Sequence, residues 1–377
     1  MKIACISSSQ VPATTANSIQ VMKVCQALAQ SGHSVELWVP GKQAVDLDWY
    51  RLAGLYGLSE PFPVHWTPIR QGRRRYDLAW SAMQAANRWG ADLIYTWMPQ
   101  AALAGLLDGN PVILEVHDRI MGRLGPLVFH TFLRFPGKKR VLVITGALRR
   151  VLEASFHYHF PQKEIVIAPN GVDLDRYRNL PEPAAARRQL GLAECLTACY
   201  TGHFYAGRGM EVLVSLARCY PQVQFLWVGG KPEAVREWQA RLDADGLGNV
   251  RLTGFIDNRI LPVYQAAGEI LLMPYERSIA GSGGGNSVDI CSPMKMFEYM
   301  AAGRAILTSD LAVLHEVLNG ANARFVPPED EQAWQAGLKQ LLDDADLRWR
   351  LGEQARRDIQ QYTWLARAQR SLQSFTG

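Results

Sequence analysis

The chain has 377 residues, 48% of them apolar and 20% charged, which is ordinary for a globular protein but more length than one hydrophobic core usually serves, so two domains are expected. No apolar run is long enough to cross a bilayer, and the N-terminal MKIACISSSQ reads as a first strand, its apolar part being too short for a signal peptide. The net charge of +5 is uneven: residues 1–180 hold 20 Lys and Arg against 13 Asp and Glu, the remainder 20 against 22, which excludes a uniformly basic surface and points to an anionic partner for the first half.

In chain order, Lys2 to Ser7 is a short buried-type strand. ANSIQVMKVCQALAQ (Ala16 to Gln30) has helical apolar spacing and is closed by Ser31-Gly32-His33, and Val35 to Val39 is the next strand. A strand, a helix and a strand in this order imply a parallel sheet. Asp92 to Tyr95, Val112 to Val116 and Val141 to Thr145 continue it, and Ile165 to Ala168 closes the first half. Pro169-Asn170-Gly171-Val172-Asp173 reads as a turn with a positive φ at the glycine. PEPAAARR after Leu180 has linker composition. A second series follows with strands at Leu196 to Thr201, Phe225 to Val228, Val250 to Leu252, Ile270 to Met273 and Ala305 to Thr308, then mostly helix from Glu331. Doubly wound sheets place ligands at the carboxyl ends of their strands, so two such domains face to face would leave a cleft.

The richest stretch is SPMKMFEYMAAGRAILTSD, Ser292 to Asp310. Lys295 and Glu298 sit three apart on one helical face, behind the glycine-rich GSGGGNS (Gly281 to Ser287), and Gly303 ends the helix. A helix entered from such a loop aims free N–H groups and its positive end at an anion. The lysine adds charge for phosphate, and the carboxylate one turn on suits a ribose diol, so the layout fits a nucleotide diphosphate carrying a sugar.

Five segments in order, PNGVDLDRY (Pro169 to Tyr177), TGHFYAGRGMEVLV (Thr201 to Val214), FLWVGG (Phe225 to Gly230), VRLTGF (Val250 to Phe255) and SPMKMFEYMAAG, resemble the retaining GT-B glycosyltransferases, specifically family 4. The resemblance covers nearly the whole chain. It implies an α/β fold, GT-B, of two Rossmann-like doubly wound domains facing a cleft: residues 1–180 on the acceptor side, 181–355 binding nucleotide sugar, and 356–377 a C-terminal helix packing back on the first domain. It also implies sugar transfer from a nucleotide-diphosphate donor to an acceptor hydroxyl, with no cofactor and no metal.

By the same resemblance Glu298 binds the ribose, and Arg208, between Gly207 and Gly209, contacts the donor diphosphate and steadies the leaving group. His117, in Glu115-Val116-His117-Asp118, touches the donor sugar near the reacting carbon. His117 and Arg208 with Lys295 carry the expected catalysis, and Gly202, His203, Gly207, Ser292 and Met294 join Arg208, Lys295 and Glu298 in the donor contacts. His203 stands near where many relatives carry a second basic residue. Eight positions before Glu298, where the family often has a Glu, stands Ile290; Asp289 is its neighbour, and backbone N–H groups around Ser292, Met294 and Lys295 are the alternative sugar contact.

Asn17 and Ser18 lie in the first loop, and Asn17 reads either as a helix cap or as a phosphate or acceptor contact. Asp118 reads as a second first-domain cleft residue or as a cap of the following helix. His157 and His159 fall on one side of a strand-like segment without a third ligand at suitable spacing, and the six cysteines show no paired metal spacing. Phe129, Phe132, Leu133 and Phe135 interleave with Arg134, Lys138, Lys139 and Arg140, the composition of an interfacial anchor for anionic membrane or of an amphipathic helix packed on its own sheet. Arg73-Arg74-Arg75 form a further basic cluster. The expected location is cytoplasmic, peripheral on the inner face of the membrane if the anchor holds, with no nucleic-acid partner. The rival readings are a non-catalytic nucleotide-sugar-binding module and a GT-B-like epimerase or phosphorylase. Dinucleotide-dependent redox lacks a G-x-G-x-x-G after the first strand.

Overall fold

The computed structural model describes residues 1–42, 47–69, 74–279 and 286–375. The chain forms two compact units, Met1–Asn170 with Trp364–Gly377, and Gly171–Thr363. The glycine-rich run 280–285 and Arg73 lie outside the described residues.

The first unit runs β1 (Lys2–Ile6), α1 (Ala16–Gln30), β2 (Ser34–Pro40), α2 (Trp49–Tyr56), β3 (Val64–Thr67), α3 (Arg74–Trp89), β4 (Leu93–Thr96), α4 (Pro99–Leu107), β5 (Val112–Val116), α5 (Gly125–Arg134), β6 (Lys139–Val143), α6 (Gly146–Phe156) and β7 (Ile165–Ile167). The strands form one sheet in the order β3-β2-β1-β4-β5-β6-β7, parallel throughout. LIYT and VILEV are buried at every position, the pattern of parallel strands covered on both faces by helices.

The second unit runs α7 (Pro183–Leu190), β8 (Thr197–Thr201), α8 (Met210–Cys219), β9 (Gln224–Val228), α9 (Pro232–Ala244), β10 (Val250–Leu252), α10 (Leu261–Ala266), β11 (Ile270–Met273), α11 (Met294–Ala302), β12 (Ala305–Ser309), β13 (Arg324–Val326), α12 (Glu331–Asp343) and α13 (Ala345–Asp358). Its sheet is β10-β9-β8-β11-β12-β13, again parallel. Trp227 on β9 and Trp334 on α12 are fully buried in its core beside Phe225, Leu213 and Leu338. The strand order reverses between β8 and β11, as it does between β1 and β4 in the first unit, and such switch points are where open α/β sheets bind ligands. After α13 the chain rejoins the first unit as α14 (Trp364–Leu372), which packs against α1.

Several local expectations change. PEPAAARR is not a linker: Pro183 opens α7 and Gly191 (φ 64°) caps it, while Arg187 is buried and donates to Glu269. The segment at His157 to His159 is not a strand, because His157 (φ 45°) is the left-handed cap of α6. Gly171 is not among the glycines of positive φ.

The apolar half of the expected membrane anchor is core. Phe129 and Phe132 are fully buried and Leu133 is nearly so, with Phe129 edge-on to Phe156 at 4.8 Å. The basic half is partly spent as well. Arg140 is buried and donates to the carbonyls of Ser371 and Gln373, Lys139 donates to the Phe135 carbonyl at 2.6 Å, and Arg134 lies over the Tyr158 ring. An amphipathic helix packed on its own sheet explains the aromatic half of the pattern, while Arg134 and Lys138 remain exposed.

Candidate functional site

In the second unit the candidate residues converge on the switch point. The loop after β8 carries Gly202, His203, Gly207 and Arg208, and the loop after β11 carries Tyr275 and Glu276. Both glycines beside Arg208 are required by close packing. Gly207 (φ 88°) leaves room for a Cβ only 2.5 Å from the Ser278 carbonyl oxygen, and Gly209 (φ 69°) only 1.9 Å from that of Pro274. Their N–H groups are not free for phosphate, since both donate to the Glu276 carboxylate, at 3.2 and 3.1 Å. Glu276 therefore straps the loop and fixes where Arg208 starts.

Arg208 donates to the Tyr205 hydroxyl at 2.6 Å, and its guanidinium lies 4.8 Å from the Tyr205 ring centroid and 5.1 Å from that of Tyr275. Lys295, in the first turn of α11, shares the same aromatic wall. Its Nζ is 4.0 Å from the Tyr200 ring centroid and 5.5 Å from that of Tyr275. Gly202 (φ 142°) is what admits it, because a Cβ there would lie 2.8 Å from Nζ. The residue keeps some exposure, yet desolvation and then the Arg208 charge push its ammonium well below the ordinary lysine range, with Glu298 opposing them incompletely. Two cations thus sit on tyrosine faces with no carboxylate in ion-pair contact among the described residues, an arrangement that an incoming dianion would satisfy.

Glu298 lies three residues beyond Lys295 on α11. Its Oε2 accepts from Gln265 Nε2 at 3.1 Å, and Gln265 Oε1 accepts from the buried Tyr177 hydroxyl at 2.8 Å. Oε1 of Glu298 has no hydrogen-bond partner among the described residues. The chain of bonds sets the rotamer and leaves one oxygen for a ligand. Pro293 occupies the N-cap of α11 without a side-chain cap, so the first N–H groups of that helix, at Met294 and Lys295, keep their positive end uncovered. Ser292 is buried just before it. His203 stacks on Tyr205 at 5.6 Å, and its carbonyl accepts from Tyr200. Ile290 is fully buried in the core, whereas Asp289 is exposed.

In the first unit His117 stands just past β5. Its Nε2 is 2.5 Å from Glu115 Oε1, and Glu115 is buried in the middle of VILEV. Gln20 on α1 and the Tyr95 hydroxyl on β4 also donate to that carboxylate. So does Arg367 on α14, through two nitrogens. Burial alone would raise the Glu115 carboxyl, but Arg367 and then His117 hold it far below the usual carboxylate range. Asp118 accepts from the Arg119 N–H at 2.8 Å; it does not cap α5, which starts at Gly125 with Leu124 at its N-cap. Nor does Asn17 cap α1. Thr15 does, accepting from the Ser18 N–H. Asn17 is exposed, while Ser18 is buried and donates to the Gln10 carbonyl at 2.7 Å.

Sequence reasoning missed Tyr200, Tyr205, Tyr275, Glu276, Gln265 and Arg367. One signal was available: a carboxylate inside the apolar run VILEV demands a cation, although nothing local says that the cation comes from 252 positions away. Among the described residues no group of three His, Cys, Asp or Glu is placed to hold a metal, all six cysteines are free, and no helix is long and apolar enough to cross a membrane.

Comparison with known proteins completes the picture. Residues 18–176 match the family model described as Glycosyltransferase Family 4, and residues 196–344 the one described as Glycosyl transferases group 1. A phosphatidyl-myo-inositol mannosyltransferase of Mycolicibacterium smegmatis is 27% identical over 362 residues, covering 91% of this chain and 85% of that protein. A D-inositol 3-phosphate glycosyltransferase of Nocardia farcinica is 27% identical over 414 residues, covering 95% and 84%. The crystal structure of Anabaena Alr3699/HepE in complex with UDP shares the fold over the full length of both chains, with a TM-score of 0.75 at 18% identity.

Proposed function

The chain belongs to the family 4 glycosyltransferases, and on that premise we propose that it moves a sugar from a nucleotide-diphosphate donor to an acceptor hydroxyl with retention of anomeric configuration and without a bound metal. The observation that carries this reading is the pair Arg208 and Lys295 on the shared Tyr275 ring, with the open oxygen of Glu298 on the same helix as Lys295. Glu298 takes the ribose hydroxyls, and the two cations take the pyrophosphate. As the bond from the anomeric carbon to the phosphate oxygen breaks, negative charge grows on the diphosphate, and a fixed guanidinium stabilises that change without reorganising. The acceptor oxygen bonds to the same face of the anomeric carbon, and its proton passes to the departing phosphate oxygen. His117 contacts the sugar. The protein contributes position and field, and no side chain is asked to form a covalent bond.

The test is a thermal-shift screen of UDP-, GDP-, ADP- and dTDP-sugars, followed by NMR of the product formed with the stabilising donor in the presence of a chelator. An α-linked donor should give an α-linked product. An inverted product, or activity that vanishes with chelator and returns with a divalent cation, contradicts the proposal. An epimerase would release free nucleotide together with an epimerised sugar with no acceptor present, whereas hydrolysis by a transferase leaves the sugar's other centres unchanged.

A lipid-linked acceptor is favoured by one specific feature. Met121, Leu124 and Leu127 are exposed beside exposed Arg123, and this stretch begins four residues after His117. The mycobacterial relative is named for a phosphatidylinositol acceptor. Flotation with anionic vesicles at low salt should carry the wild type, and the L124E/L127E variant should stay behind; no flotation of the wild type removes the idea.

A further inference from the structure

Glu115 collects five hydrogen bonds on two oxygens. Oε1 accepts from Gln20 Nε2, His117 Nε2 and Arg367 Nη2, and Oε2 from the Tyr95 hydroxyl and Arg367 Nη1. Glu115 and Arg367 are both nearly inaccessible to solvent. Arg367 Nε donates in addition to the carbonyls of Ala168 and Pro169, at 3.2 and 3.0 Å, where the chain leaves β7. One guanidinium on α14 therefore ties the carboxyl end of the sheet to the carboxylate under His117. An ionised carboxylate only accepts, so the imidazole nitrogen facing it must carry a hydrogen. His117 Nδ1 has no hydrogen-bond partner among the described residues, and the side chain keeps 18% of its surface.

We propose that Arg367 is a positioning residue for sugar transfer: through Glu115 it holds His117 in the Nε2–H tautomer and leaves Nδ1 as the acceptor that meets a sugar hydroxyl. This rests on the reading of His117 as a sugar contact. The C-terminal helix is then part of the active machinery as well as of the packing, since the same ring in the opposite tautomer would offer the sugar hydroxyl an N–H in place of a lone pair. The arrangement follows the general logic by which the partner of one imidazole nitrogen decides what the other can do.

The experiment is long-range ¹H–¹⁵N correlation on the full-length protein labelled at histidine, for the wild type, Arg367→Lys and the double variant E115Q/R367M, which removes both buried charges together. The wild type should show His117 protonated at Nε2, and E115Q/R367M should show the Nδ1–H form or a mixture. In parallel, hydrolysis of UDP-glucose and GDP-mannose is followed by nucleotide release, with binding of the same donors by calorimetry. Arg367→Lys should lower kcat by about a hundredfold, the order lost when a reacting contact is displaced by an ångström, with donor Kd unchanged. An Nδ1–H tautomer in the wild type, or a wild-type kcat in Arg367→Lys, overturns the proposal. If His117→Ala loses activity while Arg367→Lys does not, the reading of His117 stands and the positioning role falls; if His117→Ala is fully active, both fall.

Discussion

Replacing Lys295 by arginine should remove a proton from the donor-binding reaction. In the free protein the Lys295 ammonium is desolvated against the Tyr200 ring at 4.0 Å and faces the Arg208 charge, which together depress its pKa well below the lysine range. A bound diphosphate places anionic oxygens beside it and raises that pKa again. Between the two values each binding event takes up at most one proton. Affinity is therefore greatest at low pH and falls as pH rises through the free-protein value, approaching a tenfold loss, about 1.4 kcal/mol, per pH unit. The same depressed pKa makes the unliganded fold gain stability as pH rises from the folded value toward the ordinary one, because the unfolded chain binds the extra proton. An arginine stays charged throughout, so Lys295→Arg should flatten the pH dependence of donor Kd. Calorimetry of a nucleotide sugar, whose phosphates do not titrate near neutrality, in two buffers of different ionisation enthalpy reads the proton count directly. Zero uptake by the wild type across the alkaline range, or an unchanged slope in Lys295→Arg, refutes the reasoning.

Three further substitutions separate the roles of the site and the fold. Glu298→Ala should leave the protein folded and weaken donor binding by about 1.5–3 kcal/mol, the worth of hydrogen bonds to a charged group; equal Kd values by calorimetry remove the ribose assignment. Arg208→Ala should lower kcat by about 10²–10³ with a smaller change in donor Kd, since its charge matters most as the phosphate departs; a loss confined to Kd argues for ground-state binding only. Phe129→Ala should destabilise the first unit by about 3–5 kcal/mol, the usual cost of emptying a fully buried aromatic site, read as a lower denaturant midpoint; a neutral result would return Phe129 to the surface.

The two parallel sheets were legible because their strands are short continuous apolar runs and α1 and α11 carry clear helical periods ending in glycine or a polar turn. The α2–β3 excursion, Trp49 to Thr67, escaped because VHWT is only partly buried and lacks a period. PEPAAARR misled because proline and alanine serve a helix start as well as a linker, and Arg187 is buried only because Glu269, 82 positions on, meets it. The same limit applies to the site. Lys295 and Glu298 could be paired because they share one helical turn. Glu276 straps glycines nearly seventy residues earlier, and Arg367 reaches Glu115 across most of the chain. Motif spacing reports what one element holds; contacts made where a doubly wound sheet reverses its order join distant segments and leave no local trace. The stretch at 129–140 shows the converse: composition left its aromatics open to a membrane surface or to the core, and packing has buried Phe129, Phe132 and Leu133.

The most direct measurement is a crystal structure of the full chain with the nucleoside diphosphate that best raises its melting temperature. Phosphate oxygens should lie within hydrogen-bond distance of Arg208 and Lys295, and the ribose hydroxyls should engage Glu298 Oε1. A nucleotide bound elsewhere, with Lys295 still resting on Tyr200 and Glu298 bonded only to Gln265, would contradict the account.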